Sequence, residues 1–208
     1  MAKQQASPQS AAVERAAKIF RARGGMVRMA DALRAGIHRN TLRAMLEADT
    51  IERVTRGLYR LQDGAPLGSP DLVTVAEKVP SGVICLISAL AYHEMTTQIP
   101  HEIYLAISRN SEPPRLDYPP LRVFRFSGES FSAGIKWERV DGVDVRIYDR
   151  EKTLADCFKY RNKLGMDTVL EALRFYKEQR KIKVDALLRY ANICRVASVM
   201  RPYLEAIL

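Results

Sequence analysis

Apolar residues recur at helical spacing from the start of the chain. Val13, Ala16, Ala17 and Phe20 fall on one stripe, which predicts a helix over residues 10–23 that Gly24-Gly25 ends. Residues 1–9 are polar and read as a disordered tail. A short helical run over 29–35 then meets Gly36-Ile37, and a second run over 38–48 follows. Met29, Leu33, Ile37, Leu42, Met45 and Leu46 can close a small core with Phe20. Two β-like pieces flank Gly57, with Val54 and either Leu58 or Tyr59 turned inward.

A turn-rich stretch, Asp63-Gly64-Ala65-Pro66-Leu67-Gly68-Ser69-Pro70, sets the domain boundary. Beyond it the pattern predicts a helix over 71–78, an apolar segment over 83–86 and a helix over 88–94. Ile103, Leu105 and Ile107 alternate within a strand over 102–108, and 121–126 reads as another. Residues 137–140 and 143–148 flank Asp141-Gly142, the strongest hairpin signal in the chain, because that dipeptide tolerates the positive φ angles of a tight turn. Asp149 can cap a helix over 151–160, and three more helices follow over 167–179, 184–193 and 197–207. The fold class is α+β. A winged helix-turn-helix over 10–63 precedes a mixed α+β domain over 70–208, with a central antiparallel sheet and C-terminal helices.

Charge sharpens this division. Of the net +9, the first 62 residues carry +7. A basic N-terminal module on a nearly neutral body points to nucleic acid as a partner. Cys85, Cys157 and Cys194 lie far apart in apolar runs with no zinc-ligand spacing, so buried free thiols in a reducing cytoplasm are expected. The polar N-terminus lacks a signal-peptide core, and the most apolar run, 83–92, is too short to span a bilayer. The expected location is cytoplasmic, with no membrane partner.

Within the basic module, inward-facing Leu42, Met45 and Leu46 leave Arg39, Asn40 and Arg43 on the outward face of the second helix, near its N-terminal end. Arg can make two hydrogen bonds to guanine and Asn two to adenine, and these are the helix positions that reach base edges. Arg53, Arg56 and Arg60 on the following hairpin suit phosphates or a minor groove. The candidate DNA-contacting set is therefore Arg28, His38, Arg39, Asn40, Arg43, Arg53, Arg56, Tyr59 and Arg60. An adaptor that binds protein through the same fold is the alternative.

Catalytic signatures are sparse. His93-Glu94 and His101-Glu102 lack the second His of a zinc-protease motif, and no phosphate-cradling Gly-rich loop is present. Asp141, Asp144, Asp149 and Glu151 near Lys152 suggest a metal-dependent nuclease centre as a further alternative, against their reading as turn, strand-face and cap residues. Lys152, Lys159 and Arg161 with Asp156 read as a charged helix face, or as an extended basic track. Aromatic residues Tyr104, Tyr118, Phe124, Phe126 and Trp137 read as sheet core and edge. No enzyme activity, metal or cofactor is expected.

Several segments resemble the AbiEi antitoxins of bacterial type IV toxin–antitoxin systems. In the N-terminal part these are Gly25, Ala35-Gly36-Ile37 and Arg53-Val54-Thr55-Arg56-Gly57-Leu58-Tyr59. In the body they are Ser88-Ala89-Leu90, Glu102-Ile103-Tyr104-Leu105-Ala106-Ile107 and Asp141-Gly142-Val143. The most specific is Arg150-Glu151-Lys152-Thr153-Leu154-Ala155-Asp156-Cys157 followed by Tyr160-Arg161-Asn162-Lys163-Leu164-Gly165. Position 38 departs from the pattern, with His where a capping Ser is expected. The resemblance implies an N-terminal domain that binds inverted repeats at its own promoter and represses the operon. It implies a C-terminal antitoxin domain over 70–208. The counterpart would be an AbiEii-like nucleotidyltransferase toxin, countered without a stable complex. Neutralisation by direct contact is the alternative.

Overall fold

A computed structural model describes residues 8–64, 67–179 and 182–207. The chain divides into two compact units, Met1–Pro70 and Asp71–Leu208. Of the tail expected over 1–9, residues 1–7 lie outside the described residues, whereas Pro8 and Gln9 already open the first helix. Ala65 and Pro66 of the turn-rich boundary also lie outside them.

The first unit runs α1 (Pro8–Ala22), β1 (Met26–Arg28), α2 (Met29–Arg34), α3 (Arg39–Glu47), β2 (Ile51–Thr55) and β3 (Leu58–Leu61). Its three strands form an antiparallel sheet in the order β1-β3-β2. Gly36 adopts φ 82 between α2 and α3, a left-handed conformation that glycine takes without the Cβ penalty. The amide of Ile37 then donates to Ala32 C=O at 2.9 Å, closing the turn. Phe20, Ala32, Leu42 and Met45 are fully buried in one cluster with Ile37, Ile51, Tyr59 and Leu61. Leu33, expected inside, is instead exposed. Val54 is only half-buried, because a register shift between Arg53 and Thr55 takes it out of the ladder with β3.

The second unit contains α4 (Pro70–Lys78), β4 (Val83–Ile84), α5 (Leu86–Tyr92), β5 (Ile103–Ser108), β6 (Leu121–Phe126) and α6 (Glu129–Ser132). It continues with β7 (Ile135–Val140), β8 (Val143–Tyr148), α7 (Arg150–Lys159), α8 (Arg161–Leu164), α9 (Met166–Glu178), α10 (Val184–Ile193) and α11 (Ala197–Ile207). Its five strands run in the order β6-β5-β4-β8-β7. The expected central antiparallel sheet is mixed: β5 pairs parallel with β6, and β4 with β8. Residues 109–120 carry the chain from the end of β5 back to its start, so β6 enters in the same direction, which no tight turn allows.

Helix α7 occupies the middle of this unit. Asp149 caps it by accepting from the Lys152 amide at 2.8 Å, and every residue from Glu151 to Phe158 is buried. Lys152 and Asp156 therefore do not form a solvated face. Both are fully buried, with Nζ and Oδ2 2.5 Å apart. The ammonium lies over the Tyr148 ring at 4.2 Å and the Phe126 ring at 5.0 Å, and Cys194 Sγ donates to the other Asp156 oxygen at 3.2 Å. Burial raises the Asp156 carboxyl above its ordinary range, and the Lys152 charge is the main influence opposing that rise. Cys85, Cys157 and Cys194 are free and buried, and burial pushes all three thiols up.

Removing one charge of a buried pair strands the other. Lys152→Ala is expected to cost about 3–5 kcal/mol in urea unfolding, whereas Lys152→Met combined with Asp156→Leu, which removes both charges, costs less. Equal losses in the single and double variants would show that the pair is not what the site depends on.

Candidate nucleic-acid interface

Leu42 and Met45 anchor α3 through one face, and that fixes what the opposite face presents. His38 precedes the helix in extended conformation, φ −71 and ψ 153, and its side chain makes no capping hydrogen bond. A Ser or Asp there would satisfy one of the free amides of the first turn. His38, Arg39 and Asn40 are exposed at this N-terminal end, and Arg43 is exposed one turn on. Arg43 Nε donates to Glu47 at 2.8 Å in a solvent-exposed i,i+4 pair. Such a pair is worth only a few tenths of a kcal/mol, roughly 0.3–0.5, so Arg43 exchanges partners easily.

The β2–β3 hairpin supplies a second group. Gly57 takes φ 86 at its turn, and Arg53 and Arg56 are exposed. The Met29 amide donates to Gly57 C=O at 2.7 Å, while Arg28 pairs opposite Leu58. Strand β1 thus sets exposed Arg28 beside the hairpin turn that carries Arg56. The sequence does not announce this neighbourhood, because a three-residue strand is too short to show alternation.

Two expected contacts belong elsewhere. Tyr59 is 4% exposed, a core residue paired between Val27 and Arg53. Its ring fills the interior, so it leaves the candidate surface. Arg60 is half-buried and ion-paired with Glu52, its cross-strand partner, so its charge is largely answered within the hairpin. A residue outside the expected set joins the surface instead. Arg15 on α1 lines, with His38 and Thr41, a groove of about 370 Å³ beside the turn before α3. Arg15 is far from α3 in sequence, and only the packing of the two helices brings it there.

The acids considered for metal chemistry are spoken for. Asp144 pairs with Arg139 at 2.9 Å, and Asp149 caps α7 and accepts from the Tyr190 hydroxyl at 2.8 Å. Glu151 is buried and accepts from the Tyr176 hydroxyl at 2.9 Å, while Asp141 sits in the β7–β8 turn with φ 46. Among the described residues no group of three His, Cys, Asp or Glu side chains is placed to hold a metal ion. No helix among them is long and apolar enough to cross a membrane.

The exposed basic residues lie within a segment that matches a family model. Residues 14–62 match the family model described as a transcriptional regulator, AbiEi antitoxin. That match begins within α1 and ends just past β3. Among solved structures, the chain is similar to the RV2827C protein from Mycobacterium tuberculosis. The two are 12% identical, with a TM-score of 0.58 over 92% of this chain and 73% of that one. At that identity the likeness is one of fold. No curated protein matches the chain.

Stability measurements separate core from surface here. Tyr59→Ala is expected to cost about 3–5 kcal/mol, as for other buried aromatic truncations. Arg39→Ala and Arg56→Ala should each stay within about 0.5 kcal/mol of the parent. Urea unfolding checks all three, and a neutral Tyr59→Ala would return that residue to the surface set.

Proposed function

We propose that the first unit is a winged helix-turn-helix that binds double-stranded operator DNA, with α3 in the major groove and the β2–β3 hairpin as the wing. The observation that carries this reading is the exposed cluster His38, Arg39, Asn40 and Arg43 at the N-terminal half of α3, in a segment that matches a transcriptional-regulator family. Arg39, Asn40 and Arg43 are the base-reading candidates. Arg28, Arg53 and Arg56 are suited to backbone phosphates, and Arg15 and His38 to the phosphates flanking the helix N-terminus.

The chain would then repress its own operon through inverted repeats in the upstream DNA. The second unit would carry antitoxin activity against an AbiEii-like nucleotidyltransferase toxin, as in a type IV system, without a stable complex between the two. The family match supports the pairing of regulator and antitoxin roles. Size-exclusion chromatography of the two proteins together tests the last point. Separate elution with toxin rescue in cells is expected; co-elution would replace it with neutralisation by contact.

DNA binding is tested by gel-shift titration on the region upstream of the gene. Arg43→Ala is expected to cost about 1–3 kcal/mol and to relax sequence preference, while Arg56→Ala weakens binding evenly across sequences and lowers the salt slope by about one. Absence of any shift with the parent protein at low salt would overturn the proposal.

A further inference from the structure

Strand β7 closes one end of the five-stranded sheet, with β8 along one side and, among the described residues, no strand along the other. An open strand edge is a template for another strand. The β7–β8 turn determines which backbone groups face it. Asp141 and Gly142 both have positive φ, 46 and 81, and Val140 pairs with Val143 across a two-residue loop. In such a hairpin the flanking pair is hydrogen-bonded, and bonded and non-bonded pairs then alternate along the ladder. Val140, Glu138 and Lys136 therefore direct their amide and carbonyl groups at β8. Arg139, Trp137 and Ile135 direct theirs at the open edge.

The side chains repeat this register. Trp137, the only tryptophan of the chain, is 67% exposed, with the Arg146 guanidinium 5.7 Å from its ring. Lys136 and Glu138 flank it with opposite charges. The Glu138 carboxylate has two oxygens and can accept from a cation across the edge.

We propose that β7 pairs antiparallel with β7 of a second copy of this chain, about a two-fold axis at Trp137. In that register Trp137 exchanges both backbone hydrogen bonds with the partner's Trp137, and Ile135 does so with the partner's Arg139. Lys136 lies directly opposite the partner's Glu138, and Glu138 opposite the partner's Lys136. Centring the axis one residue either way would set Lys136 against the partner's Lys136, or Glu138 against the partner's Glu138, which like charges disfavour. The backbone allows all three centres, since each sets outward-facing odd residues opposite one another, and charge selects the one at Trp137. The second copy is the partner whose complement the strand itself encodes.

The test is a charge swap on the full chain, read by sedimentation velocity over a wide concentration series. The parent protein should shift from monomer to dimer, with Trp137 emission moving to shorter wavelength in step. Lys136→Glu alone and Glu138→Lys alone should each remain monomeric, because each sets like charges opposite one another. An equimolar mixture of the two variants should recover the dimer, since opposite charges then face each other at both positions. A loss of folding in either variant would not be repaired by mixing. A parent that stays monomeric throughout, single variants that dimerise like it, or a mixture that stays monomeric would overturn the proposal. DNA binding by the first unit is measured separately and does not depend on the outcome.

Discussion

The burial of Leu42 and Met45 is the constraint on which the first unit's surface depends. These two side chains pack with Phe20 of α1 and Ile37 of the preceding turn, and α3 cannot rotate about its axis without exposing them. With one face committed, Arg39, Asn40 and Arg43 stand on the exposed face, where Arg43 meets Glu47 and all three meet solvent. Gly36 makes the arrangement possible, since its left-handed turn separates α2 from α3 and lets α3 pack on α1. The β1–β3 pairing then places Arg28 beside the hairpin turn. A small apolar core thus presents two sets of cations at fixed places, an arrangement suited to a regular polyanion.

The second unit is organised around a different constraint. Helix α7 is buried along almost its whole length, and the Lys152–Asp156 pair places two opposite charges in the interior. Each is satisfied by the other, by the Tyr148 and Phe126 rings, and by Cys194 from the end of α10. The charges tie the sheet, α7 and α10 into one arrangement. A buried pair contributes little net stability, but it penalises any packing that separates its members.

Much of this was legible in the chain. The 3.6-residue spacing around Leu42 and Met45 located α3 and its outward arginines, and Asp141-Gly142 located the β7–β8 turn, although β7 begins at Ile135, two residues before the expected strand. The rest depends on partners distant in sequence. Strand β1 exists because Val27 finds Tyr59. The parallel pairing of β5 and β6 follows from the path of residues 109–120, which has no periodicity to read. Tyr59 and Arg60 looked alike as surface candidates, since alternation alone does not say which face of a short hairpin is covered. Lys152 and Asp156 carry the spacing of an exposed helix pair, and only the surrounding helices make them interior. Arg15 reaches the α3 groove through helix packing alone.

Operator recognition as proposed requires α3 to read bases rather than merely rest on phosphates. The most direct measurement is interference by methylation of guanine N7, a major-groove position, across the protected upstream region. Arginine side chains read guanine through N7 and O6. Methylation at discrete guanines is expected to block binding, and Arg39→Ala or Arg43→Ala to abolish the sensitivity at one of them. Binding that is indifferent to methylation at every guanine of the region would contradict base reading by these arginines.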